Sequence, residues 1–377
     1  VELAEVVGDA VTWRRQLHAH PELSFQEHKT AAFVRERLSS LDSLEIVSPT
    51  PTSVLATLRG RRPGPTLALR ADIDALPIEE ESGVEFVSRN AGVMHACGHD
   101  GHTAMLLATA RLLAAMREEL AGEVRFVFQH AEELPPGGAV EIVASGVLEG
   151  VDAIVGCHLM SDMEVGRIGA LEGACTAAGD TFSARIVGRG GHAAFPHAAV
   201  DPIAAAAQAI SSLQHVVSRE TPPLDSVVVS VTRISGGTAD NVIPESVELG
   251  GTVRTYREEV RRRTREGMER ILGGIASAHG ASYEFEYVEG YPSVVNDPDL
   301  TALVREVAGE RLIECPRLMA GEDFSAYLRV APGCFFFVGA GGPDAFPHHH
   351  PRFTIDEDAL PIGIETLTQT ALRFLNA

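Results

Sequence analysis

The sequence predicts an α/β protein with a mainly parallel sheet and helices on both faces, interrupted by a ferredoxin-like α+β domain. Three observations carry this. The chain has 377 residues, beyond the size at which a single hydrophobic core keeps growing. Short apolar strands alternate with helical patterns over 1–176 and again over 291–377, the order that builds βαβ units and a parallel sheet. Between them, residues 177–290 read β-α-β-β-α-β, a complete supersecondary unit standing inside the first domain's sequence.

Taken in order, residues 5–40 carry helical spacing through Val11, Trp13, Leu17, Phe33, Val34 and Leu38. Pro21 divides them into two helices. Residues 53–59 and 66–70 are short apolar strands, and the second runs into Ala71-Asp72-Ile73-Asp74. Acids just past a buried strand belong either to the ligand-binding edge of an α/β sheet or to a turn. Both readings stay open for Asp72 and Asp74. An apolar run over 103–120 predicts a helix, 123–129 a Val/Phe-rich strand, 139–145 a helix, and 153–157 a strand ending at His158. In the inserted segment the strands fall at 181–187, 226–234, 246–256 and 282–289, with helices at 201–217 and 258–279. The first two of these strands alternate clearly, as strands with one buried face do. The first texture returns with a helix near 298–310, a strand at 334–339 and a closing helix.

Apolar residues make up 45% and charged residues 22% of the chain, the balance of a globular protein rather than a disordered one. The net charge of −21, with Lys29 the single lysine, argues against nucleic-acid or anionic-membrane partners. No apolar run reaches the ~18 residues that cross a bilayer. The cysteines at 97, 157, 175, 315 and 334 lack disulfide-like spacing. With no signal peptide in view, they predict a reducing, cytoplasmic setting.

The stretch Met94-His95-Ala96-Cys97-Gly98-His99-Asp100-Gly101-His102 packs a thiol, three imidazoles and a carboxylate into one loop. Such a run makes a poor core and a good transition-metal site. Further candidates follow separate strands: Glu132 and Glu133, then His158, then the histidines at 348–350. Alone, each is a satisfied polar residue at a strand end; converging on one sheet edge, they read as ligands. His18 and His20 read as helix-end polar residues instead.

Five protein ligands are too many for one tetrahedral zinc that keeps a position open. They suit two metals roughly 3.5–4 Å apart. Cys97 is the bridge, since a thiolate has lone pairs to spare and a neutral imidazole offers one. The mixed S, N and O donors favour Zn, Mn, Ni or Co over Mg or Ca. Of Glu132 and Glu133, one would hold metal while its neighbour moves a proton. Adjacent side chains of a strand point to opposite faces, so both enter one site only if the strand has ended. The following Pro135-Pro136-Gly137-Gly138 fits such an ending.

Five motifs stand in order along the chain: His95-Ala96-Cys97-Gly98-His99-Asp100-Gly101-His102, Ala131-Glu132-Glu133, Gly190-Gly191-His192-Ala193-Ala194-Phe195-Pro196-His197, Asn241-Val242-Ile243-Pro244 and Gly321-Glu322-Asp323-Phe324. Together they resemble the amidohydrolase branch of the M20 metallopeptidase family, from Arg14 to Asp356. The resemblance implies a catalytic domain bearing two divalent metals and an inserted lid domain through which a homodimer forms. It implies Cys97, His99, Glu133, His158 and His349 as metal ligands. His349 is picked by a His-x-Pro register ending at Pro351, with His350 second. It implies Glu132 as general acid/base, His192 as a catalytic residue that reaches bound substrate, and Asn241 and Arg254 as holders of a substrate carboxylate. Asp72 stands where other branches carry a metal-binding histidine, so it is expected behind the ligands, with Asp100, His95 and His102 in supporting places.

The expected reaction is hydrolysis of the amide bond of a small N-acyl or aryl-acyl amino acid, by a metal-activated water, releasing a carboxylic acid and a free amino acid. Exopeptidase action on dipeptides is the alternative within the family. Two readings come from other classes: a thiol hydrolase with Cys97 as nucleophile, and a ligand-binding homologue without turnover. A chelator discriminates against the first, and release of free amino acid against the second.

Overall fold

An eight-stranded mixed sheet organises the first unit of the structure, a computed structural model that describes residues 2–376. Its centre is parallel: Ala121–Gln129, Arg62–Asp72, Ala153–Glu164 and Gly333–Gly341 lie side by side in that order. The hairpin of Leu44–Val47 and Val54–Arg59 adds antiparallel strands at one edge, and Ile168–Gly169 and Leu312–Ile313 complete the other. Gly333–Gly341 is buried along nearly its whole length, as a central strand covered on both faces must be, so its sequence reads as an apolar run rather than an alternation. Leu44–Val47 escapes the sequence reading because four residues at an edge leave too little pattern to see.

The helix after the cysteine motif begins at His99, four positions before the apolar run, and ends at Ala115. Gly98 takes φ +89° immediately before it, a conformation that glycine adopts without steric cost. Nearly every residue of this helix is buried, which explains why its sequence shows a run and no stripe. It packs with the Leu3–His18 and Ala359–Leu375 helices in a core that includes Val6, Ala10, Met105, Leu106, Leu360 and Ile364.

The first unit comprises Val1–Cys175, Val294–Pro316 and Asp323–Ala377, and the second Thr176–Ser293 with Arg317–Glu322. The sequence places 317–322 with the first domain. In the structure it joins the second, because Ala177 N donates to the carbonyls of Leu318 and Ala320, each at 3.0 Å.

The second unit is a four-stranded antiparallel sheet in the order Val227–Ser235, Ser246–Thr255, Ala178–Val187, Ser282–Val288. With the helices Pro202–His215 and Glu258–Ala278 between strands, this is the ferredoxin-like arrangement. The first helix starts where Asp201 accepts from Ile203 N at 2.9 Å and Pro202 occupies the first helical position. Phe182, Ala184, Ile186, Leu249 and Val253 meet Ala205, Ala209, Leu213, Met268 and Leu272 in its core. Deep in this unit the Asp180 carboxylate binds Arg261 Nε at 2.8 Å, Tyr287 Oη at 2.7 Å and Gly290 N at 3.0 Å. Among the described residues, no helix is long and apolar enough to cross a membrane.

Candidate metal centre

The carboxyl ends of the parallel strands bring the candidate ligands of the first unit together. Cys97 Sγ lies 3.4 Å from His158 Nε2. The donor atoms of Cys97, His99 and His158 lie within 4.8 Å of one another, and so do those of Cys97, Glu133 and His349. Cys97 is common to both sets. A third set joins His99 with Glu132 and Glu133. His158 lies inside its strand rather than at the end, since pairing continues to Glu164.

Hydrogen bonds decide which ring nitrogens face inward. His99 Nδ1 stands 3.0 Å from Asp74 O, and a carbonyl can only accept, so Nδ1 holds its proton and Nε2 is left for the site. His158 Nδ1 meets Leu159 O at 2.9 Å, with the same consequence. His99 Nε2 is buried and lacks a hydrogen-bond partner among the described residues, with Glu133 Oε1 3.9 Å away. Such an orphaned atom is expensive, and a cation held by these donors would satisfy it.

The charges agree. Burial, then the carboxylates of Glu133, Glu132 and Asp72, push the Cys97 thiol well above its usual range. Burial alone would lower His99, but Asp72, Asp74 and Glu133 outweigh it and raise its pKa to about 10. A hydrogen bond to Glu133 likewise raises His349. Burial and the neighbouring His102 hold His158 well below the ordinary value, so its ring is neutral, the form that ligates. The site carries surplus negative charge, which a divalent cation relieves, and the residues present fit the metals that the donor set implies. The same surroundings oppose the thiol-hydrolase reading, which needs a lowered cysteine pKa.

Of the three consecutive histidines, His349 has its ring by the cluster, with Nε2 3.3 Å from Glu133 Oε1. Its backbone has φ +66° and donates to Ala96 O at 2.8 Å. His348 Nε2 instead donates to Leu159 O at 2.9 Å. His350 Nδ1 accepts from Arg352 N at 3.0 Å while the ring stacks on Phe346.

The supporting residues divide. Asp72 Oδ1 meets His102 Nδ1 at 2.5 Å, and its Oδ2 accepts from Arg70 Nη1 at 2.7 Å and lies 3.7 Å from His99 Nε2. His102 Nε2 accepts from Leu159 N at 2.9 Å, so both its nitrogens are engaged and it braces the backbone beside His158. Asp100 departs from expectation: its Oδ2 is bound by Arg14 Nε and His18 Nδ1, both at 2.8 Å. It therefore ties the N-terminal helix down rather than orienting a ligand. Neither nitrogen of the buried His95 has a hydrogen-bond partner among the described residues.

Asp74 is the residue that sequence reasoning left undecided. Its Oδ1 lies 3.1 Å from His99 Nδ1, and its Oδ2 accepts from Glu133 N at 3.0 Å and Ser24 Oγ at 2.7 Å. One buried carboxylate thus orients two candidate ligand residues. The available signal was the spacing from Asp72, which puts both acids on one face of an extended segment.

His192, Asn241 and Arg254 belong to the second unit. The short strand Gly191–His192 pairs with Val242–Ile243, and Ala193 N donates to Asn241 O at 3.0 Å, bringing His192 and Asn241 side by side. His192 Nδ1 accepts from Ala194 N at 3.1 Å, so the neutral ring carries its proton on Nε2 as an outward donor. Arg254 lies in the Ser246–Thr255 strand, its Nη1 donating to Val253 O at 3.0 Å and to Thr252 Oγ1.

Known proteins resemble this chain in sequence and in fold. The chain is 57% identical over 292 residues to the N-acyl-L-amino acid amidohydrolase of Geobacillus stearothermophilus, covering 78% of this chain and 79% of the relative. It is 45% identical to the N-acetylcysteine deacetylase of Bacillus subtilis over 96% of each chain. A crystal structure of the Bacillus subtilis YXEP protein, described as a dinuclear metal-binding peptidase from the M20 family, superposes with a TM-score of 0.89 at 41% identity over 99% of both chains. The profile of peptidase family M20/M25/M40 matches residues 68–373. The cysteine motif, the paired glutamates, His158 and His349 all fall inside that match: the chain is a hydrolase of peptidase family M20/M25/M40.

Proposed function

We propose that this enzyme hydrolyses the amide bond of small N-acyl or aryl-acyl amino acids, yielding a carboxylic acid and a free amino acid. The observation that carries the reading is the pair of donor sets sharing Cys97, with the Glu132 carboxylate beside them. In this reading Cys97, His99, Glu133, His158 and His349 hold two divalent metals, with Zn, Mn, Ni or Co matching the donors. When bound, such metals supply Lewis acidity, lowering the pKa of water and polarising a carbonyl.

Glu132 holds and moves the proton. It is 7% exposed, close enough to the ligands to take a proton from the attacking water and return it to the departing amine nitrogen. His192 supplies the Nε2 donor to the oxyanion. Asn241 and Arg254 bind the substrate carboxylate, which favours a small free acid over a long peptide. A homodimer formed through the second unit is part of the reading, supported by its two open edge strands, where Ile234 and Val288 are exposed.

The test is a substrate panel. N-acetyl, N-benzoyl and indole-acetyl amino acids, with dipeptides alongside, are incubated with protein loaded with each metal, and free amino acid is quantified. Release from N-acyl substrates that a chelator abolishes is expected. Release that a chelator spares, or none from any N-acyl substrate, overturns the proposal. Sedimentation equilibrium decides the dimer.

A further inference from the structure

Two features near the site are not used by the reaction as described. The first is a pair of left-handed residues that are not glycine. Phe25 has φ +65° and Ala131 φ +49°, conformations that side chains other than Gly, Asn and Asp seldom adopt. The second is a buried carboxylate, Glu27, with 0% exposure and no ion pair among the described residues. A single atom joins them: Glu27 Oε1 accepts from Phe25 N at 2.9 Å and from Ala131 N at 2.8 Å.

Helix capping does not explain this carboxylate. Glu27 sits at the N-cap of the His28–Ser39 helix but makes no side-chain cap bond. The first-turn amides of Lys29 and Thr30 are capped by Glu22 Oε2 instead, each at 2.8 Å.

Ala131 sets the direction of the two glutamates after it. The Ala121–Gln129 strand has ended, and the left-handed turn breaks the alternation that would send Glu132 and Glu133 to opposite faces. Both carboxylates then gather with His99. The turn is pinned at two amides: Ala131 N by Glu27, and Glu133 N by Asp74 Oδ2 at 3.0 Å. It is closed by Gly138 N donating to Ala131 O at 3.0 Å, an approach that needs glycine, since a Cβ there would stand 1.9 Å from His130 O.

We propose that Glu27 is a positioning residue for Glu132: its carboxylate holds the left-handed turn at Ala131 that aims the base into the site. The proposal rests on the reading of Glu132 as general acid/base. A base displaced by about 1 Å can lose 10²-fold in rate, so Glu27 acts on turnover without touching substrate.

The test uses metal-loaded full-length enzyme with four variants, Glu27→Ala, Glu27→Gln, Glu27→Asp and Glu132→Gln, and the Glu27→Ala/Glu132→Gln double variant. Glu27→Ala should lower kcat about 10–10²-fold, with KM and metal content by elemental analysis unchanged. Glu27→Gln keeps an acceptor oxygen at full reach and should recover most of kcat. Glu27→Asp withdraws the oxygen by one methylene, keeps the carboxyl group, and should lose kcat even if the alanine variant does not fold. In the Glu132→Gln background, Glu27→Ala should cost almost nothing further, because no base remains to aim. Wild-type kcat in Glu27→Ala or Glu27→Asp, or an undiminished extra loss in the double variant, overturns the proposal while the function reading stands. Wild-type kcat in Glu132→Gln overturns both.

Discussion

Replacing Asp74 tests how the ligands are held. The Asp74→Ala variant removes the carboxylate from His99 Nδ1 at 3.1 Å and from Glu133 N at 3.0 Å in one step. That carboxylate is ionised: burial pushes its pKa up, but the His99 hydrogen bond and charge, with Glu133 N and Ser24, bring the net value below the ordinary range. Loss of such an outer partner costs about 10–100-fold in metal affinity for one ligand. Two ligands set the upper bound near 10⁴-fold, about 5.5 kcal/mol. His99 retains the Asp74 carbonyl at 3.0 Å, which any residue at 74 keeps, so its share lies at the low end. The expected loss is therefore about 10²–10³-fold. Metal-free protein titrated with Zn²⁺ or Mn²⁺ against a chromophoric chelator measures it, with circular dichroism reporting the fold. Affinity within about threefold of wild type, in a folded variant, would refute the two-ligand role, since even one outer partner is worth more.

The same geometry fixes four further outcomes. Glu132→Gln should cut kcat about 10²–10⁴-fold with metal content intact; unchanged turnover would sink the assignment. Cys97→Ala removes the atom shared by two donor sets and should deplete both metals by elemental analysis, whereas full occupancy contradicts bridging. Asp180→Asn leaves the buried Arg261 guanidinium with only the exposed Glu258 as counter-charge and should cost about 3 kcal/mol in urea unfolding; a loss below about 1 kcal/mol would show that the pair is dispensable. Burial raises the Glu27 carboxyl to about 7. Its folded pKa lies above the unfolded one, so its contribution is full below pH ~4.5 and is lost as pH rises toward ~7, on the order of 3 kcal/mol. Glu27→Gln, with no proton to release, should therefore gain in Tm on wild type between pH 5 and 8, and a constant difference would show that Glu27 does not titrate there.

The fold was legible where one period or one run dominates. Gly333–Gly341, buried on both faces, and the first strands of the second unit, buried on one, announce themselves by different patterns. Boundaries were less legible, because they depend on partners. The helix after the cysteine motif starts at His99 rather than at the apolar run, since Gly98 supplies the left-handed step and the helix's polar first turn is itself buried. The segment 317–322 changed units because of hydrogen bonds from Ala177, which no local property of 317–322 encodes.

At the site, the candidate ligands were easier to read than what orients them, and the difference is chemical. A ligand must be a thiolate, an imidazole or a carboxylate, so residue type narrows the choice, and a cluster such as Cys97 and His99 stands out. An orienting group needs only an acceptor at the right place, and its partner is often a backbone amide that every residue but proline has. Glu27 reaches Ala131 N over 104 positions and Asp74 reaches Glu133 N over 59. Before folding, nothing distinguishes these acids from turn or helix-cap residues. Asp100 shows the converse: next to a candidate ligand in sequence, it turns away to Arg14 and His18. Adjacency along the chain is therefore a poor guide to support of a metal centre. The better guide is which buried carboxylates are bound to main-chain amides of the ligand loops, and by that measure Asp74 and Glu27 stand closer to the chemistry than Asp100 does.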